Sequence, residues 1–131
     1  LDRGPLKILT DTHALVWALT GSESLGARAL AALASSPFTA SVANLWELVW
    51  KSRKPGALVA DPLPWWDKYV IGPRIPTLPI RVGHIRQLAG LPEVHKDPFD
   101  RILAAQALAE GLTLASKDVL LARYGVSLVW E

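Results

Sequence analysis

Two rhythms of apolar residues alternate along the chain. Leu6 to Thr10 is a short β-type run that ends at Asp11, and His13 to Leu19, almost wholly apolar, reads as a buried helix. Thr20 to Ser24 supplies turn and capping residues. Leu25 to Leu33 then has the alanine and leucine content of a second helix, closed by Ser35-Ser36-Pro37. Phe38 to Ser41 is a second short strand and Val42 to about Ser52 a helix, stopped by Pro55-Gly56. Pro62 to Ile71 reads as a short aromatic-rich helix, and Pro76 to Ile80 as a strand whose prolines suit an edge. Arg81 to Ala89 is expected to be helical.

The best-marked helix runs from Pro98 to Glu110. Asp97 is placed to cap it, Pro98 takes the first helical position, and Gly111 follows its end. Leu112 to Ser116 reads as a buried strand, Val119 to Arg123 as a short helix and Ser127 to Trp130 as a last strand. Strands alternating with helices in this way predict an α/β domain with a mainly parallel sheet covered on both faces. Sites in such sheets form beyond the carboxyl ends of the strands.

Composition narrows the class. The 131 residues suit one domain, and 50% hydrophobic content is ample for a core. Leu1 to Pro5 read as a remnant of processing or of an upstream segment, so the domain is expected to occupy 6–131. No apolar run approaches the roughly 18 to 20 residues of a membrane span, and no signal segment opens the chain, so a cytoplasmic location is expected. The absence of cysteine excludes disulfides, thiolate zinc sites and cysteine nucleophiles. Fourteen basic against twelve acidic side chains leave a net charge of +2, which permits nucleic-acid contact without demanding it.

The chemistry concentrates in acids at strand ends. Asp11 follows the first strand, Glu47 lies in the helix after the second, Asp100 opens the long helix, and Asp118 follows a later strand. Such carboxylates suit the hard cations Mg²⁺ and Mn²⁺, which a phosphodiester-cleaving site uses. Each acid also has a purely structural explanation. Asp11 and Asp118 can cap helices, and Asp97 and Asp100 are spaced for reciprocal capping. Asn44 to Glu47 resembles a capping box, with Glu47 also placed for a surface ion pair with Lys51. Capping alone gives no reason for acids to recur at successive strand ends. On the long helix, Asp100 shares a face with Leu103, Ala104 and Ala107, while Gln106 and Glu110 lie on another, so Asp100 is expected to point towards the sheet.

Four segments carry a family resemblance: Ile8 to Trp17 with Asp11-Thr12-His13-Ala14; Ser41 to Lys51 with Trp46-Glu47; His95-Lys96-Asp97-Pro98-Phe99-Asp100-Arg101 running into Ala104-Ala105-Gln106-Ala107; and Leu112 to Asp118 with Tyr124-Gly125-Val126. In order and spacing they resemble the PIN-domain nucleases, and among these the toxins of bacterial and archaeal VapBC-type toxin–antitoxin pairs. The resemblance implies a three-layer α/β/α fold. It also implies that Asp11, Glu47, Asp100 and Asp118 form the acidic quartet that holds one or two Mg²⁺ or Mn²⁺ ions for endonucleolytic RNA cleavage. It further implies a cognate antitoxin and a homodimer. Asp97 belongs to the Asp-Pro-Phe-Asp-Arg form of one branch and is read as a cap, at most a metal neighbour.

Around the quartet, Thr12 and Ser41 are placed to orient a carboxylate, and Arg101, Lys51 and Lys117 to contact RNA phosphates. His13, on an apolar helix, is read as a core histidine, His95 as either structural or functional, and His84 has no evident role. Their spacing does not form a zinc motif. The adjacent Trp65 and Trp66 cannot both be buried by one helix face, which leaves an apolar patch for a dimer or antitoxin contact. Two rival readings stand beside the nuclease. One is a non-catalytic protein- or RNA-binding module. The other is a different metal-dependent phosphohydrolase of the haloacid-dehalogenase type, against which His13 occupies the place of the required second acid.

Overall fold

The computed structural model describes residues 7–131. Leu6 and the proposed remnant at 1–5 lie outside the described residues. Five short parallel strands form the sheet: β1 (Ile8–Thr10), β2 (Phe38–Ser41), β3 (Thr77–Leu78), β4 (Thr113–Ala115) and β5 (Leu128–Val129), in the order β3-β2-β1-β4-β5. The chain winds outward from β1 to β2 and β3, then returns to the other side of β1 for β4 and β5. The order therefore reverses between β1 and β4, the position where open parallel sheets place their sites.

Side chains alternate across the central strands as a parallel sheet buried on both faces requires. Leu9 and Leu114 face one core with Ile102, Leu103, Ala104 and Leu121; Ile8 and Ala115 face a second with Ala14, Ala29 and Leu33. Helices α1 (Thr12–Thr20) and α2 (Ala27–Ser35) contribute to the second core, and α5 (Val82–Ala89) and α6 (Pro98–Glu110) to the first. The result is a three-layer α/β/α fold. Helices α3 (Val42–Lys51) and α4 (Pro62–Trp66) enclose a third cluster with Leu15, Ala40, Leu48 and Val70. Among the described residues no helix is long and apolar enough to cross a membrane.

The predicted elements all form, β2 with its expected bounds and β3, β4 and β5 shorter than expected. Prolines on either side confine β3 to the sheet edge, as expected. The segment read as one helix from Pro62 to Ile71 is α4 followed by a π-helical turn, Asp67–Ile71. That winding keeps Trp66 and Val70 in the core, while Trp65 is half-buried against Tyr69, its ring 5.2 Å away. The exposed aromatic surface lies elsewhere, on α3, where Trp46 and Trp50 are 50% and 64% exposed. Helix α2 begins at Ala27, later than Leu25, because Gly26 passes beneath Trp130: a Cβ there would meet the Trp130 carbonyl and come within 2.7 Å of its indole.

One face assignment is corrected. Gln106 was expected away from the core, yet it is fully buried, because α6 packs against the sheet on one side and α5 on the other. Its amide is satisfied on both ends. Oε1 accepts from Ser41 Oγ at 2.6 Å, and Nε2 donates to the Pro79 carbonyl at 3.2 Å and meets His84 Nδ1 at 3.3 Å. His84, for which the sequence offered no role, is buried there. Its Nδ1 accepts the Arg81 N–H at 3.0 Å and its Nε2 pairs with Glu110 at 2.8 Å, which ties α5 to the end of α6.

Candidate active site

The turn from β1 into α1 delivers the first acid. Asp11 takes an extended backbone as N-cap of α1, its Oδ1 accepting the Ala14 N–H at 2.8 Å, while its own N–H donates to the β4 carbonyl of Ala115 at 3.0 Å. It is 8% exposed. Burial pushes its carboxyl above the ordinary range, aided by Glu47 and opposed by hydrogen bonds from Ala14 and Ser116 and by His13.

Helix α3 carries the second acid. Ser41 caps it with Asn44 as the reciprocal partner, so the expected box starting at Asn44 is displaced by three residues. The displacement frees Glu47 from capping and turns it inward, 5% exposed, instead of on the surface. Thr12 Oγ1 donates to Glu47 Oε1 at 2.6 Å, and Asn44 Nδ2 donates in turn to Thr12 Oγ1 at 3.1 Å and to the Thr10 carbonyl at 3.3 Å. Thr12 thus orients a carboxylate. Ser41 does not: its hydroxyl is turned to Gln106 and the Ala43 N–H, because a helix cap points along its own first turn. Asn44 was missed as a support. Its position three residues after a serine that ends a strand was the signal.

Lys51 joins the acids of two elements. Its Nζ lies 2.5 Å from Glu47 Oε2 and 3.4 Å from Asp97 Oδ2. Burial pulls its pKa down, but Glu47 and Asp97 outweigh this and hold it above the ordinary lysine value.

Asp97 caps α6, its Oδ1 accepting from the N–H groups of Phe99 at 2.8 Å and Asp100 at 3.4 Å. The reciprocal half expected of Asp100 is absent, because the Asp97 N–H donates to His95 Nδ1 at 3.1 Å. Asp100 is left facing the other acids, its carboxyl pushed up to about 7 by burial first, then by Asp97 and Glu47, with His95 opposing and Asp11 adding.

Asp118 caps the 3₁₀ helix Val119–Tyr124, Oδ1 accepting the Leu120 N–H at 3.1 Å. Its Oδ2 lies 2.5 Å from His95 Nε2, which is also 3.4 Å from Asp100 Oδ2. One donor atom from each of His95, Asp100 and Asp118 falls within 4.8 Å of the others, spacing that fits a single cation. The four predicted acids therefore sit around the carboxyl ends of β1, β2 and β4, with Asp118 reaching Asp100 through His95.

Other expectations fare unevenly. His13 is exposed, its ring edge-on to Trp17 at 5.1 Å, because it falls on the one side of the first turn of α1 that Thr12, Ala14 and Leu15 do not pack into the protein; it is not a core histidine. Arg101 is engaged by the Pro92 carbonyl at 3.0 Å and Tyr124 Oη at 3.1 Å, and Lys117 lies over the Trp17 ring at 5.1 Å. Beside Glu47 and Lys51 a cavity of about 190 Å³ opens, lined also by Thr12, His13 and Lys54.

No curated protein matches the chain by sequence. Solved structures do match in fold. FitAcB from Neisseria gonorrhoeae aligns at 20% identity and a TM-score of 0.65, over 92% of this chain and 95% of that one. VapBC2 from Rickettsia felis, bound to a DNA fragment from their promoter, aligns at 15% and 0.66, over 96% and 100%. DNA-bound VapBC from Salmonella typhimurium aligns at 20% and 0.66, over 94% and 96%. At these identities the likeness is one of fold. The sequence profile of the PIN domain matches residues 8–126, nearly the whole chain. With the strand order and the acids in the same frame, the chain belongs to the PIN domain family.

Proposed function

We propose that this chain is a metal-dependent endoribonuclease that hydrolyses RNA phosphodiester bonds, and that it is the toxin of a toxin–antitoxin pair acting in the cytoplasm. The observation that carries the reading is Asp100. Capping accounts for Asp11, Asp97 and Asp118, but Asp100 accepts no backbone N–H among the described residues and still faces three other acids in a half-buried position. Glu47, buried and capping nothing, belongs with it. A binding module built only from capped helices would contain neither.

The donor set fits Mg²⁺ or Mn²⁺, since it is made of carboxylate oxygens whose mutual repulsion a divalent cation relieves. Asp11 and Asp100 would hold the ion, with Glu47 and Asp118 as further ligands or partners of water, and Asp97 as a neighbour. Once bound, such an ion supplies the Lewis acidity that lowers the pKa of water and offsets charge on the phosphate. The chain's own part is positional. Thr12 and Lys51 fix the two oxygens of Glu47, Ala14 fixes Asp11, and the α6 cap fixes the start of the helix that carries Asp100. Lys51 and Lys54 line the cavity, and with Lys117 and Arg101 they offset the repulsion between an acidic centre and a polyanion. The resemblance to VapBC pairs supports an antitoxin partner and a homodimer, for which the exposed strip of Val42, Trp46, Val49 and Trp50 offers a surface.

The test is cleavage of end-labelled single-stranded RNA by purified chain with Mg²⁺, Mn²⁺ or EDTA. Cleavage is expected with either metal, none with EDTA, and at least about a hundredfold loss in Asp11→Asn and Asp100→Asn, the order found when a charge-stabilising group is removed. Cleavage that persists in EDTA, or unchanged rates in both variants, defeats the proposal.

A further inference from the structure

His95 stands between two of the acids, and its other contacts determine what it can offer them. The ring nitrogen Nδ1 accepts the Asp97 N–H at 3.1 Å. A neutral imidazole has one donor and one acceptor nitrogen, so with Nδ1 accepting, the proton sits on Nε2. The Nε2–H then faces Asp118 Oδ2 at 2.5 Å, with Asp100 Oδ2 at 3.4 Å.

The backbone of His95 is held as firmly as its ring. Its N–H donates to Tyr124 Oη at 2.8 Å, and that hydroxyl also takes a hydrogen bond from Arg101 at 3.1 Å. Tyr124 is itself buried in the core beneath α6. A ring with a backbone donor on Nδ1 and carboxylates at Nε2, carried on a backbone anchored to a core tyrosine, is held in the Nε2–H tautomer.

We propose that His95 is a positioning residue of the acidic site, an Nε2–H donor that holds Asp118 in place and does not itself ligate the cation. The proposal rests on the reading that the acids bind a divalent ion. Close spacing of His95, Asp100 and Asp118 would equally suit a three-ligand set, but ligation requires Nε2 to give up its proton, and Nδ1 has no room to receive it. Asp118 keeps a spare lone pair on each oxygen after accepting from Leu120 and His95, so it remains able to face an ion. Arg101 accordingly serves this arrangement by holding Tyr124.

Two measurements on the full chain test this. Long-range ¹H–¹⁵N NMR of the imidazoles is expected to show His95 protonated on Nε2 and bare at Nδ1 both without metal and with saturating Mg²⁺; loss of the Nε2 proton on adding Mg²⁺ overturns the proposal. Mn²⁺ affinity, read from the free-ion EPR signal, is expected to fall about 10- to 100-fold in His95→Ala, the range seen when outer hydrogen-bond partners are removed, and to recover largely in His95→Gln, which restores a donor. Circular dichroism reports whether either variant is folded. Wild-type affinity in a folded His95→Ala overturns the positioning role alone, with RNA cleavage left intact as evidence for the nuclease. If the wild-type chain binds no Mn²⁺, both readings fall together.

Discussion

At the scale of single residues, the site is a set of charges that the fold holds against their preference. Asp100 binds its proton more tightly in the folded chain, at about 7, than in the unfolded one near 3.8. Between those values the folded state holds the extra proton, so stability must fall as pH rises from about 4 to about 7, and Asp11, shifted the same way, steepens the fall. Urea midpoints of the metal-free protein are therefore expected to be lower at pH 8 than at pH 5, and Asp100→Asn is expected to flatten that difference. A flat profile in the wild-type chain would contradict the burial and repulsion that raise these two carboxyls. Thr12 makes a second prediction. Thr12→Val removes both the donor to Glu47 and the acceptor of buried Asn44, and leaving such groups unpaired costs about 1–3 kcal/mol, readable as a loss in denaturant stability.

At the scale of elements, helix starts and acids are the same residues. Asp97 begins α6 and also raises the pKa of Asp100, so its two effects can be separated. Asp97→Ala is expected to cost about 1 kcal/mol for the lost cap, and at the same time to lessen the pH dependence set by Asp100. If stability drops and the pH profile keeps its slope, the two acids are not coupled. The boundary of α6 was plain in sequence because each marker acts locally: an N-cap aspartate, proline at the first position, and Gly111, whose φ of 68° suits a residue without a side chain. The start of α2 was not. It depends on Gly26 lying beneath Trp130, more than a hundred residues away in sequence, a contact no local pattern announces. Gly26→Ala is accordingly expected to destabilise the docking of α2 on β5 and to lower the thermal midpoint.

At the scale of the whole molecule, the proposed cation would link the parts. An ion bound only by the folded chain stabilises it by about 2.7 kcal/mol at a hundred times its dissociation constant, so Mn²⁺ is expected to raise the thermal midpoint of the wild type and leave that of an Asp11→Asn, Asp100→Asn double variant unmoved. The sequence by itself determined the α/β class, the positions of the helices and which acids stand at strand ends, because apolar period and capping are properties of a few neighbouring residues. Tertiary structure alone decided which side chains those acids meet. It turned Glu47 inward, buried Gln106 and His84 between α5, α6 and β2, exposed His13, and set His95 between Asp100 and Asp118. Such pairings join residues from separate elements, and their energies come from burial and from distance in space, neither of which is written into the spacing of residues along the chain.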